Sequence, residues 1–148
     1  MVDREARNKL GELLRHLASG QITNDQFEDA VPHSPDVAID VIQKQAWMLY
    51  GDLYEHKLVG RHAVLESDKS IVARFILFLN AELEYEWPKH PLTGIRRLVA
   101  QIFSFGILPR YVDRRWKSIG DFKVWPFIPQ SDFDRCKDNP KLLKGNDA

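Results

Sequence analysis

The sequence predicts a mainly α fold, a compact bundle of about six helices with an extended aromatic and proline-rich C-terminal segment. Three observations lead there. Apolar residues recur at spacings of three and four through most of the chain, helix-start residues precede those runs, and from Gly120 onward prolines replace the periodicity. The chain has 148 residues, 44% of them hydrophobic and 28% charged. A chain of that size buries roughly 70% of its unfolded surface, and the composition lies far from that of disorder. One domain is expected over residues 1–143, with 144–148 as a frayed polar tail.

Leu10, Leu13, Leu14 and Leu17 mark a first helix, and Gly20 supplies a left-handed stop. Thr23-Asn24-Asp25-Gln26 has the form of a capping box and starts a short second helix through Phe27 that ends before Pro32. Ser34-Pro35-Asp36 combines a cap, a first-turn proline and an acid near the positive helix end. A long third helix should follow, burying Ala38, Ile42, Ala46, Leu49 and Leu53, with Trp47, Tyr50 and Tyr54 widening that stripe and Asp40 pairing with Lys44.

Ser67-Asp68 predicts the cap of a fourth helix carrying Val72, Phe75, Ile76, Leu79 and Leu83. Ile71, Leu77 and Phe78 make it apolar around most of its circumference, so it belongs at the centre. It should run until Pro88, which pushes Trp87 out of helical geometry. A fifth helix follows Pro91, with Ile95, Leu98, Val99 and Ile102 inward and Arg96, Arg97 and Gln101 outward, closing near Gly106. A sixth, from about Arg110 to Ser118, carries Tyr111, Val112 and Trp116. Asp121 to Pro129 should then lie extended, with at most one edge strand, and Ser131 can cap a last short helix through Phe133 and Cys136.

A net charge of zero conceals a division. Residues 1–90 hold 10 Lys and Arg against 15 Asp and Glu, whereas residues 91–148 hold 11 against 6. The acidic part ends in Glu82, Glu84 and Glu86, and the basic part opens with Arg96, Arg97, Arg110, Arg114, Arg115 and Lys117. Opposed charge of this kind can seat one part of the fold on the other or recruit a charged partner. The basic cluster, with Tyr111 and Trp116 inside it, also suits nucleic acid, although a sequence pI near 7.0 is low for a dedicated nucleic-acid domain. Balance against the acidic segment is the favoured reading.

Other chemistry is sparse. On a helix only Glu82 and Glu86 would share a face, so the glutamates read as a solvated or partner-facing surface rather than an acid–base pair. The five histidines, His16, His33, His56, His62 and His90, match none of the usual metal-site spacings, and neither metal nor cofactor is expected. Cys136 lies between Arg135 and Lys137 and reads as an ordinary thiol. Phosphate-loop and nucleophile-elbow motifs are absent, which argues against an enzyme without excluding a site assembled from distant residues. Trp47 is expected in the core. Trp87 and Trp125 both precede proline and either anchor the extended segment or stand exposed for a protein partner. One cysteine, a charged N-terminus and the lack of a spanning segment suggest a cytoplasmic protein not bound to membranes.

Ala18-Ser19-Gly20-Gln21-Ile22-Thr23-Asn24, Tyr85-Glu86-Trp87-Pro88 and Val124-Trp125-Pro126-Phe127 together resemble a group of short bacterial proteins of unknown function. The resemblance spans most of the chain and implies no activity. The function expected is non-enzymatic protein binding, as in a bacterial adaptor or a toxin-neutralising immunity protein. Glu82, Glu84, Glu86, Trp87 and Trp125 are the candidate contacts. The alternatives are a nucleic-acid accessory protein using residues 96–117 and an enzyme with a dispersed site.

Overall fold

Asp3 starts the first helix, its carboxylate accepting the Ala6 N–H at 3.1 Å. The computed structural model describes residues 1–51, 53–87, 99, 102 and 107–139. Among them are six α-helices and no strand, with a single isolated bridge between Thr23 and Lys57. Helix α1 (Arg4–Ala18) buries Leu10, Leu13, Leu14 and Leu17, as its periodicity requires. Gly20 then turns the chain with φ +71°, and a Cβ there would lie 2.3 Å from Val59 Cγ1. Backbone conformation and close approach thus both demand glycine. Helix α2 (Asn24–Ala30) has both halves of its capping box, with Gln26 N–H donating to Thr23 Oγ1 at 3.1 Å and Thr23 N–H to Gln26 Oε1 at 3.0 Å.

Helix α3 (Val37–Ala46) is shorter than predicted at both ends. Its cap is Asp36, which accepts Ala38 N–H at 3.0 Å. Ser34 instead accepts Asp36 N–H at 3.1 Å and donates to Asp3 at 2.7 Å, tying the starts of α1 and α3 together. A 3-10 turn, Trp47–Leu49, follows α3. Its tighter winding breaks the buried stripe, leaving Leu53 94% and Trp47 44% exposed where burial was expected. Leu49 and Tyr50 remain packed against the core.

Helix α4 (Glu66–Asn80) begins before Ser67, with Leu65 at the cap position and no side-chain cap; Glu66 and Asp68 face the positive end of the dipole instead. Val72, Phe75, Ile76, Leu77, Phe78 and Leu79 are buried, and α4 packs against α1, α3 and the last helix, which gives it the predicted central place. It does not continue to Pro88. Arg4 donates to the Leu79 and Ala81 carbonyls at 2.7 and 2.8 Å, and Arg7 to the Leu83 carbonyl at 2.7 Å. These cations satisfy carbonyls that another helical turn would have used.

Helix α5 (Ile107–Lys117) starts slightly earlier than expected, and α6 (Gln130–Lys137) follows Pro129, leaving Ser131 inside its first turn. Between them lie a 3-10 turn at Phe122–Val124, capped by Asp121, and a cis Trp125–Pro126 peptide. Val124, Pro126 and Phe127 are buried over α4 and α6. Most of the predicted fifth helix and the C-terminal tail lie outside the described residues. Val99 and Ile102 are helical as predicted but 45% and 63% exposed rather than inward. Among the described residues no helix is long and apolar enough to cross a membrane.

Candidate functional site

Arg7 places the acidic segment. It lies on the same face of α1 as Leu10 and Leu14, and its side chain is fully buried. Arg7 Nε donates to Asp36 Oδ2 at 2.6 Å and Nη2 to Oδ1 at 3.2 Å, while the guanidinium carbon lies 5.3 Å from the Phe78 ring centroid. Burial opposes ionisation of Asp36, but hydrogen bonds from Arg7 and from the Asp3 and Ala38 N–H groups outweigh it and hold the carboxyl below its ordinary range. The same guanidinium reaches the carbonyls of Ala81 and Leu83, fixing the chain that leaves α4.

That chain is not helical, which corrects the expected arrangement of the glutamates. Alternation puts Leu83, Tyr85 and Trp87 toward the protein and Glu82, Glu84 and Glu86 outward, so all three glutamates share the solvent side. Arg4 Nε lies 2.9 Å from Glu82 Oε1, an ion pair outside hydrogen-bonding direction, and the Met1 amine lies 3.0 Å from Glu84. Among the described residues Glu86 has no ion-pair partner, and no carboxylate pairs with Arg110, Arg114 or Arg115. Among the described residues, the ion-pair partners of the acidic segment come from the N-terminus, Arg4 for Glu82 and the Met1 amine for Glu84.

Trp87 is 4% exposed. Its indole N–H donates to the Phe127 carbonyl at 3.1 Å, and its ring lies 4.9 Å from that of Phe122. A Cβ on Gly120 would lie 2.9 Å from the Trp87 ring, so glycine lets the chain pass over the indole. Of the two readings for Trp87, an exposed anchor is therefore excluded by burial. Trp125 is half-buried, stacked edge-on to Phe75 at 5.4 Å and donating to the Tyr85 hydroxyl at 3.2 Å. Both tryptophans hold the C-terminal segment onto α4 and its extension. Burial pushes the Tyr85 hydroxyl pKa up, against the Trp125 hydrogen bond.

Where the two segments meet, a groove of about 60 Å³ opens. Phe78, Leu83, Pro126, Phe127, Ile128 and Pro129 supply its apolar lining, and Glu84, Glu86 and Asp132 its carboxylates. No protein-family model matches the chain. No curated protein and no solved structure matches it either.

The remaining candidates fall elsewhere. Arg110, Arg114 and Arg115 are exposed on α5, whereas Arg96, Arg97 and the Lys117 side chain lie outside the described residues. Cys136 is buried at 5% exposure, and burial raises its pKa despite nearby Arg135. His56 and His62, distant from any motif, converge with ring centroids 4.7 Å apart. His62 Nε2 receives Arg61 Nε at 3.0 Å and lies 3.1 Å from the Tyr54 hydroxyl. Desolvation, His56 and Arg61 together hold the His62 pKa below its ordinary value. Among the described residues no three His, Cys, Asp or Glu groups converge in a way that would hold a metal.

Two of these features were missed in the sequence. A signal for Arg7 existed, since it stands at i, i+3, i+7 with Leu10 and Leu14 and interrupts an otherwise apolar face. The His56–His62 pair left none, because a loop closes it.

Proposed function

We propose that this chain is a non-enzymatic protein-binding domain that receives a basic segment of a partner protein at the groove beside Glu84, Glu86 and Asp132. The observation that carries the reading is Glu86, an exposed carboxylate without an ion-pair partner among the described residues, at the rim of an apolar-lined groove of about 60 Å³. Small-molecule pockets typically span roughly 300–1,000 Å³. This groove suits the end of one lysine or arginine side chain, whose stem would lie on Ile128 and Pro129 while its charge meets the rim. Among the described residues no histidine, serine or cysteine lines it, so binding fits the groove better than group transfer. A small adaptor or a toxin-neutralising immunity protein would use such a surface, with the acidic segment steering a basic partner.

Titration with an oligolysine peptide tests the reading. Binding should weaken with salt, and Glu84→Gln with Glu86→Gln should lower the association rate more than it raises the dissociation rate. Equal binding by the double variant would overturn it.

A further inference from the structure

The outward arc of α5 has no counterpart in the surface already assigned. Successive residues of a helix turn by 100°, which places Arg110, Arg114, Tyr111, Arg115 and Leu108 in order around one half of the helix. All five are exposed, Tyr111 by 60%. Pro109, Val112 and Asp113, the helix's acidic residue, fall on the opposite half, where Pro109 is buried and the other two are half-buried. Three guanidinium groups therefore surround a tyrosine face, with no carboxylate between them. Elsewhere on the surface Lys44 pairs with Asp40 at 2.7 Å and Lys69 with Glu66 at 2.8 Å. Among the described residues Arg110, Arg114 and Arg115 have no ion-pair partner.

We propose that this arc of α5 binds single-stranded nucleic acid, with Arg110, Arg114 and Arg115 against phosphates and Tyr111 stacking on a base. The chemistry selects that occupant. Arginine pairs bidentately with phosphate oxygens, and an exposed aromatic ring among cations is the stacking platform that an unpaired base can use and a duplex hides. An anionic membrane fits less well, because an interfacial helix buries a broad apolar face in lipid and the apolar half of α5 faces the protein.

The test is fluorescence anisotropy of a labelled oligothymidylate or oligouridylate of about 20 nucleotides, long enough to cover one such site. Neutralising about three phosphates predicts a slope of log K on log salt near −2, an affinity loss of about 15-fold between 50 and 200 mM salt. Arg114→Gln with Arg115→Gln should flatten that slope. Tyr111→Ala should weaken binding about 5-fold or more at unchanged slope, and Tyr111→Phe should restore it. Tyr111 and the arginines are exposed, so these variants should melt with the parent; should the double variant not fold, Arg110→Gln alone reads the same slope. The proposal fails if no binding is seen at about 100 µM protein in 50 mM salt, the weak end of non-specific binding. It also fails if Tyr111→Ala binds like the parent, or if polyglutamate or phosphatidylserine vesicles bind as tightly as the oligonucleotide. Because the groove lies on other elements, Glu84→Gln with Glu86→Gln should leave oligonucleotide binding no weaker.

Discussion

Arg7 and Asp36 show how one ion pair can be an organiser rather than a surface ornament. Both side chains are buried, at 0% and 3% exposure, and between them they meet α1, α3 and the chain leaving α4. Removing one partner leaves the other as an uncompensated buried charge, so Arg7→Leu should cost about 3–5 kcal/mol in a urea melt. The paired change Arg7→Met with Asp36→Leu should recover part of that loss, since the desolvation of both charges disappears together. The pair also sets an acid limb. Asp36 and Asp3 both titrate below their ordinary value of 3.8, Asp3 because Ser34 and the Ala6 N–H bond its carboxylate. On acidification the unfolded chain takes up those protons first, so the contribution is present above the ordinary carboxylate range and is lost as pH falls through it. The urea midpoint should drop below about pH 4, and Asp36→Asn should make that drop shallower.

The C-terminal segment from Gly120 to Pro129 owes its place to aromatic contacts rather than to strand pairing. Trp87 donates to the Phe127 carbonyl, Trp125 to the Tyr85 hydroxyl, and Phe127 stacks edge-on to Phe78 at 5.1 Å. Trp87→Ala should therefore cost about 3–5 kcal/mol of folding stability in the free protein, without any partner present. Trp87→Phe should lose less, chiefly the indole hydrogen bond and some area. A thermal melt distinguishes the two, and a near-silent alanine variant would contradict the packing described for this segment.

Across the whole molecule, stability is concentrated where α1 and α4 cross. Both contribute fully buried residues, Leu10, Leu14 and Leu17 from one and Phe75 and Leu79 from the other, and both enter the arginine network. The connection between α3 and α4 is different. It leaves Met48, Leu53, Tyr54, Val59 and Leu65 at 52–94% exposure. In hydrogen exchange, amides of α1 and α4 should open only with global unfolding, whereas those of residues 53–63 should exchange through local opening at lower free energy. Comparable protection in both regions would show that the connection is bound into the same cooperative unit.

The all-α class, the central place of α4, the capping box at Thr23 and the glycine turn at Gly20 are written in local chemistry, since periodicity, caps and backbone freedom act within a few residues. Only the tertiary structure decided where α4 stops, because the groups that end it come from afar: Arg4 and Arg7 take carbonyls some 75 positions along the chain. The groove followed from that stop. Alternating Glu82, Glu84 and Glu86 present scattered faces on a helix and one face on an extended strand, and no local signal distinguishes the two states. Burial of Trp87 and exposure of Trp47 were likewise settled by long-range packing, since an indole beside proline or beside an apolar stripe is compatible with either side of the surface until a neighbour such as Gly120 makes room for it.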